Sequence, residues 1–257
     1  MNQKDLSILD HMNITGDVIV INQCDQYQYT ERRLNNHCQR MFSFNERGVG
    51  KSRNNALMRS NADICLMADD DMVYVDNYEE IVINAFKERP EADMIMFNVP
   101  INKKDGKRIV KVKKNERIRF KNCLKYGTVN IAFKREKIVN KNVYFSLLFG
   151  GGARYSCGED TLFITECLNK GIKIYSNTAC IAEINDGESS WFQGYNEKFF
   201  YDKGTLFAAV SKNLAYILAI QFVVRKRRLF EKEIKPKTAL SLMFKGIRNF
   251  GREDSVF

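Results

Sequence analysis

Short apolar runs along this chain alternate with longer stretches in which apolar positions recur every three or four residues. DVIVIN (17–22) predicts a buried strand, 41–45 a second, and GKSRNNALMRS (50–60) a helix. DICLMAD (63–69) predicts a third strand, 76–89 a helix that stops before Pro90, and ADMIMFNV (92–99) a fourth strand. Such alternation implies an α/β sheet with parallel members. Beyond residue 100 the order changes: Lys104-Asp105-Gly106-Lys107 predicts a hairpin, a strand is expected near 127–134, and a helix over 159–170 is closed by Gly171. Two short strands are expected over 172–184, and the chain from about 193 onward reads as helical. The longest apolar stretch, LAYILAIQFVV (214–224), is too short to span a bilayer and reads as a buried or interfacial helix.

Composition narrows the class. With 257 residues, 44% of them hydrophobic, the chain has material for one globular domain with an appendage and a sizeable core. The net charge of +10 points to an anionic partner: a nucleic acid, a membrane surface or a phosphorylated small molecule. That charge is unevenly placed. Residues 103–125 hold eleven Lys/Arg against two Asp/Glu and residues 225–257 ten against four, which leaves the remainder net acidic. The two basic segments, the second with Leu240, Leu242, Met243, Phe244 and Ile247, fit either an anionic membrane surface or a solvated lysine-rich face. Seven cysteines without a CxxC pair indicate neither a zinc ribbon nor a disulfide framework, so a reducing cytosol is expected.

Candidate chemistry gathers in three stretches. Asp69, Asp70 and Asp71 leave an apolar strand at its carboxyl end, where ligands of open α/β sheets bind. Adjacent carboxylates repel one another, and a hard divalent cation relieves that repulsion; a solvated acidic loop is the plainer alternative. In GGGARYSCGEDTLF, glycines 150–152 precede Glu159 and Asp160 at a helix start, where acidic residues either serve a ligand or favour the helix dipole. NERGVGKSRNNAL (45–57) brings a glycine-bearing loop into a helix with Arg47, Lys51 and Arg53, which suits a diphosphate without the spacing of a P-loop or dinucleotide fingerprint.

In this order, with VIVINQCD (18–25) ahead of them, the three stretches resemble the family 2 glycosyltransferases over roughly residues 15–200. The resemblance implies a GT-A (nucleotide-diphospho-sugar transferase) α/β fold with a mixed, mostly parallel sheet flanked by helices. A glycosyltransferase domain is expected over 1–200 and a basic helical extension over 201–257. It implies transfer of a sugar, with inversion, from a nucleotide diphosphate donor such as a UDP-sugar to an acceptor hydroxyl on a glycan or lipid-linked acceptor in cell-surface polysaccharide synthesis. Mn²⁺ or Mg²⁺ would be held by Asp71 with Asp70. Asn22, Asp25, Lys51, Arg53, Asp69 and Asp70 would lie on the donor side. Asp160 would be the general base, Glu159 would orient it, and Gly151, Gly152 and Trp191 would face the acceptor. The expected location is the cytoplasm, peripherally at the inner face of the plasma membrane.

Two departures from the family pattern stand out. Members begin with a strand ending in a PxYN-like motif; here the chain opens with MNQKD, as though that strand were cut just before its end, so an upstream or neighbouring segment is expected at that edge. Many members take a third metal ligand from a late histidine, whereas His11 and His37 are early here; Glu183, Asp186, Glu188 or water would substitute. Trp191 fits either sugar stacking or a core anchor, and Phe192, Tyr195, Phe199 and Phe200 have helix-packing spacing. The competing classes are a basic nucleic-acid-binding protein, for which no RNP-like or helix-turn-helix pattern is present, and an inactive GT-A subunit.

Overall fold

The computed structural model describes residues 2–185 and 192–250. They form two compact units. One comprises the chain up to Arg47, Lys51–Phe145 and the segment from Phe163 to the end of the last strand; the other comprises Gly48–Gly50, Ser146–Leu162 and the C-terminal helices.

In the first unit a single turn α1 (Ile8–His11) leads into β1 (Val18–Gln23), β2 (Gln28–Leu34) and β3 (His37–Phe44). Here β3 is central, parallel to β1 and antiparallel to β2. After α2 (Val49–Arg59) come β4 (Ile64–Leu66), β5 (Met72–Tyr74), α3 (Tyr78–Glu88), β6 (Met94–Asn98) and the hairpin β7 (Ile101–Asn102) and β8 (Arg108–Ile109). Gly106 makes that hairpin with φ +79°, a backbone conformation costly for any residue carrying a Cβ. β9 (Ile131–Lys134), α4 (Arg135–Asn140), α5 (Glu159–Asn169), β10 (Ile174–Cys180) and β11 (Ala182–Asn185) follow. The second sheet runs β10-β6-β9-β4 and the third β5-β11-β7-β8.

Every residue of β6 is buried, as its unbroken MIMF run requires of a strand covered on both faces. Beside it Phe133 packs near Phe163, and Phe163 stacks on Phe145 with ring centroids 4.0 Å apart. The expected strands and helices of this unit are present, but α1, β5 and α4 escape the sequence pattern and β9 begins at Ile131 rather than near 127. The expected mostly parallel sheet is instead three sheets with mostly antiparallel ladders, because β9 inserts antiparallel between β6 and β4 and the β7–β8 hairpin extends the third. Three boundaries or strands have a further local reason. β3 begins four residues before the predicted 41, because its alternating half-buried side chains continue back through Cys38. β4 stops at Leu66 because the chain leaves the ladder before the aspartates. β2, QYTERRL, escaped prediction: it pairs only with β3, so half of its residues stay in solvent and no apolar run marks it.

The second unit holds α6 (Glu197–Val210), α7 (Ala215–Phe230) and α8 (Pro236–Asn249). Asn196 caps α6 by accepting the Phe199 N–H at 2.9 Å. A Cβ on Gly204 would lie 2.0 Å from the Met243 carbonyl, and one on Gly246 2.2 Å from the Tyr201 carbonyl, so the two glycines let α6 and α8 touch backbone to backbone. Phe199 and Phe200 pack with Tyr195, Phe222 and Phe230, the helix packing their spacing predicts.

One surface assignment needs correcting. Met243 and Ile247, in the basic segment that fits either an anionic membrane surface or a solvated face, are buried in this unit's core, with Leu240, Leu242 and Phe244 partly buried against it. Met243 and Ile247 are taken up by this packing, whereas Leu240 and Phe244 keep part of their surface open. Among the described residues no helix is long and apolar enough to cross a membrane.

Candidate functional site

In the first unit the acidic triplet occupies the tight turn between β4 and β5. Met67 and Met72 anchor it from both sides: the Met67 N–H bonds the Ile131 carbonyl at 3.1 Å, and Met72 is fully buried. Between these anchors Asp70 and Asp71 face solvent and Asp69 is half-buried. Arg53, from α2, holds Asp69 at 3.2 Å, with its guanidinium 5.4 Å from the Phe145 ring centroid and its side chain mostly buried. Asp70 accepts a hydrogen bond from the Gln3 amide at 3.2 Å. Asp71 has no basic partner among the described residues. Its carboxyl is pushed up from its ordinary value, first by lost solvation, then by the charge of Asp69, with Asp70 adding less.

The other donor-side residues of this unit are placed as follows. Asn22, buried near the end of β1, donates to the Gln3 carbonyl at 2.9 Å and the Ser43 hydroxyl at 3.1 Å, and accepts the Gln3 N–H at 2.9 Å. Its amide therefore ties residues 2–3 along the edge of β1, where Asn2 N–H also meets the Gln23 carbonyl at 3.1 Å. Asp25, just past β1, is clasped by Arg47 at 2.7 Å. Lys51 is exposed in the first turn of α2. Glu183, a candidate third metal ligand, spends one oxygen on Arg108 at 2.5 Å and the other on Asn102 at 2.9 Å. Asp186, Glu188 and Trp191 lie outside the described residues.

In the second unit the glycine run is a folded loop. Gly150 and Gly152 have φ of +107° and +77°, and the buried Gly151 accepts the Val49 N–H at 2.9 Å. A Cβ on Gly150 would sit 2.7 Å from Val49 and 2.8 Å from the Glu159 carboxyl, so only glycine fits against that side chain. Glu159 in turn accepts the Gly158 N–H at 3.1 Å. Glu159 and Asp160 open α5 side by side, both half-buried.

Sequence reasoning passed over two positioning residues. Asn54 brackets Phe145 with a reciprocal pair of hydrogen bonds, 2.9 and 2.8 Å, across 91 residues of chain. Asp202, buried within α6, accepts from the Ser156 N–H at 2.9 Å and from Lys198 at 2.7 Å, and so fixes the loop that leads to α5. A carboxylate on the buried face of an apolar helix, four residues after a lysine, is the only mark it leaves in the sequence.

Mixed sheets flanked by helices give a GT-A-like α/β fold. The chain belongs to Glycosyl transferase family 2, whose signature matches residues 7–143. Among solved structures, S. aureus TarS 1–349 in complex with UDP-GlcNAc superposes with a TM-score of 0.65 at 15% identity over 93% of this chain and 74% of that one. The same TarS fragment with UDP gives 0.62 at 14% identity over 93% and 73%. No curated protein matches the sequence.

Proposed function

We propose that this chain moves a sugar, with inversion, from a UDP-sugar to an acceptor hydroxyl in the assembly of a cell-surface polysaccharide. Family membership supplies the reaction class. The shared fold of TarS bound to UDP-GlcNAc or UDP supports the uridine nucleotide. The observation that carries the reading is the acidic turn: Asp69 is answered from inside by Arg53, while Asp70 and Asp71 stand adjacent at the surface.

A divalent cation fits these residues. Among the described residues no three His, Cys, Asp or Glu side chains converge on a ready-made metal cage. Two hard oxygen donors, one of them held up by the like charges beside it, instead suit Mg²⁺ or Mn²⁺ completed by phosphate and water. When bound, such a cation supplies Lewis-acid stabilisation of charge on the departing diphosphate. Asp71, with Asp70, holds it as a carboxylate. Arg53 keeps Asp69 in place beneath them, and Asn22, Asp25 and Lys51 serve the nucleotide side. Asp160 accepts the proton of the acceptor hydroxyl. Glu159, locked between Gly150 and the Gly158 N–H, orients that end of α5. Gly151, Gly152 and Trp191 serve the acceptor, and the protein works in the cytoplasm.

The test is release of UDP from a panel of UDP-sugars. Turnover that requires Mn²⁺ or Mg²⁺ and stops with chelator is expected; turnover indifferent to chelator, or confined to another nucleotide, contradicts the reading.

A further inference from the structure

The three C-terminal helices leave one apolar face uncovered. α7 buries Ala215, Ala219, Val223 and Phe230, which share one arc of the helix. The neighbouring arc carries Ile217, Ile220 and Val224, exposed by 62%, 47% and 72%, a stripe a buried helix would not show. Following it, Arg225, Lys226 and Arg228 all stand in solvent, and their side chains form no ion pair or hydrogen bond among the described residues.

The stripe continues onto α8. Tyr216 meets Phe244 edge to face at 5.0 Å, and Phe244 with Leu240 walls an open groove of about 280 Å³ that Lys237, Ser241 and Arg248 also line. The surface thus combines an apolar strip, an open groove of mixed lining and a basic border.

We propose that this face of α7 and α8 docks on an anionic lipid surface, lying in the interface without crossing it. Charge selects that occupant over a second copy of the chain. No Asp or Glu occurs from Lys203 to Phe230, so α7 has no carboxylate to offer the basic residues of a paired α7. An anionic bilayer offers both what the strip and the border need, acyl chains and phosphate-bearing headgroups. α7 supplies the exposed stripe, and α8 adds only its Leu240–Phe244 edge, since Met243 and Ile247 are buried.

Co-sedimentation of the full chain with vesicles of phosphatidylcholine, with and without one third phosphatidylglycerol, tests this. Binding is expected with the anionic vesicles only, and high salt should weaken it. Ile220→Glu with Val224→Glu, both at exposed positions, should reduce the vesicle partition coefficient by at least about tenfold. Arg225→Gln with Arg228→Gln should reduce it on the order of tenfold and flatten its dependence on phosphatidylglycerol content. Unchanged circular dichroism and melting would show that the variants fold. Equal binding to neutral and anionic vesicles overturns the proposal, as does binding that survives the glutamate pair. A dimer in sedimentation velocity that the glutamate pair dissociates would assign the face to a second copy instead.

Discussion

Asp70–Asp71 and Glu159–Asp160 are both adjacent carboxylate pairs, yet the chain builds around them in opposite ways. The first pair rides on a turn pinned by apolar anchors, Met67 and Met72, and Asp71 has no basic partner among the described residues. In the second pair backbone shapes Glu159: the positive-φ Gly150 clears space for it, and the Gly158 N–H donates to it. A carboxylate whose repulsion is left standing is suited to gain a cation from outside, whereas one locked by its own backbone is suited to hold a direction. That difference fits the binding and proton-transfer roles proposed for the two pairs.

The largest expected effect falls on the second pair. Asp160→Asn keeps size and most hydrogen bonding but cannot accept a proton, so sugar transfer should fall by about 10²- to 10⁴-fold. Steady-state assays on this variant and on Glu159→Gln check it; a larger loss in the glutamine variant would move the base by one residue.

Asp71→Asn should break the first pair differently. Metal-dependent UDP affinity should fall at least on the order of tenfold. The melting temperature without metal should hold or rise, because the substitution removes repulsion from Asp69 and Asp70. A variant that melts much earlier would mean that Asp71 is a structural residue.

Gly150→Ala measures how firmly glycine shapes the Glu159 side. The alanine would need φ near +107° and would press on Val49 and Glu159, at a cost of about 1–3 kcal/mol in denaturant unfolding. Gly152→Ala offers the milder comparison, since Gly152 is exposed.

The smallest effect is in pH. The folded Asp71 carboxyl holds its proton above its ordinary value, so this group's contribution to stability without metal declines as pH rises from that ordinary value through the raised one. Cation binding, which needs the carboxylate, strengthens across the same window. Calorimetric UDP affinity with Mn²⁺ should therefore weaken on acidification, and Asp69→Asn should move that loss to lower pH.

Much of this was legible because the residues involved carry periodic or unbroken apolar runs: β1, β6, α2 and α5 stand within a residue or two of where the pattern puts them. What escaped depends on distant partners. The polar β2 exists because β3 offers it an edge, and Asp202 acquires meaning only against Ser156. The apolar residues of α7 and α8 look alike in the sequence, and only packing decides that Met243 is buried while Val224 faces water. Similarly, the acidic triplet is visible in one line of sequence, but the division of labour within it, with Asp69 held by Arg53, is not.

The most direct test is calorimetric titration of UDP, with and without Mn²⁺, into the wild-type chain, Asp71→Asn and Asp160→Asn side by side. The account predicts that Mn²⁺ strengthens binding equally in the wild type and Asp160→Asn and has no effect in Asp71→Asn. Equal Mn²⁺ enhancement in all three, or its loss in Asp160→Asn with retention in Asp71→Asn, would contradict it.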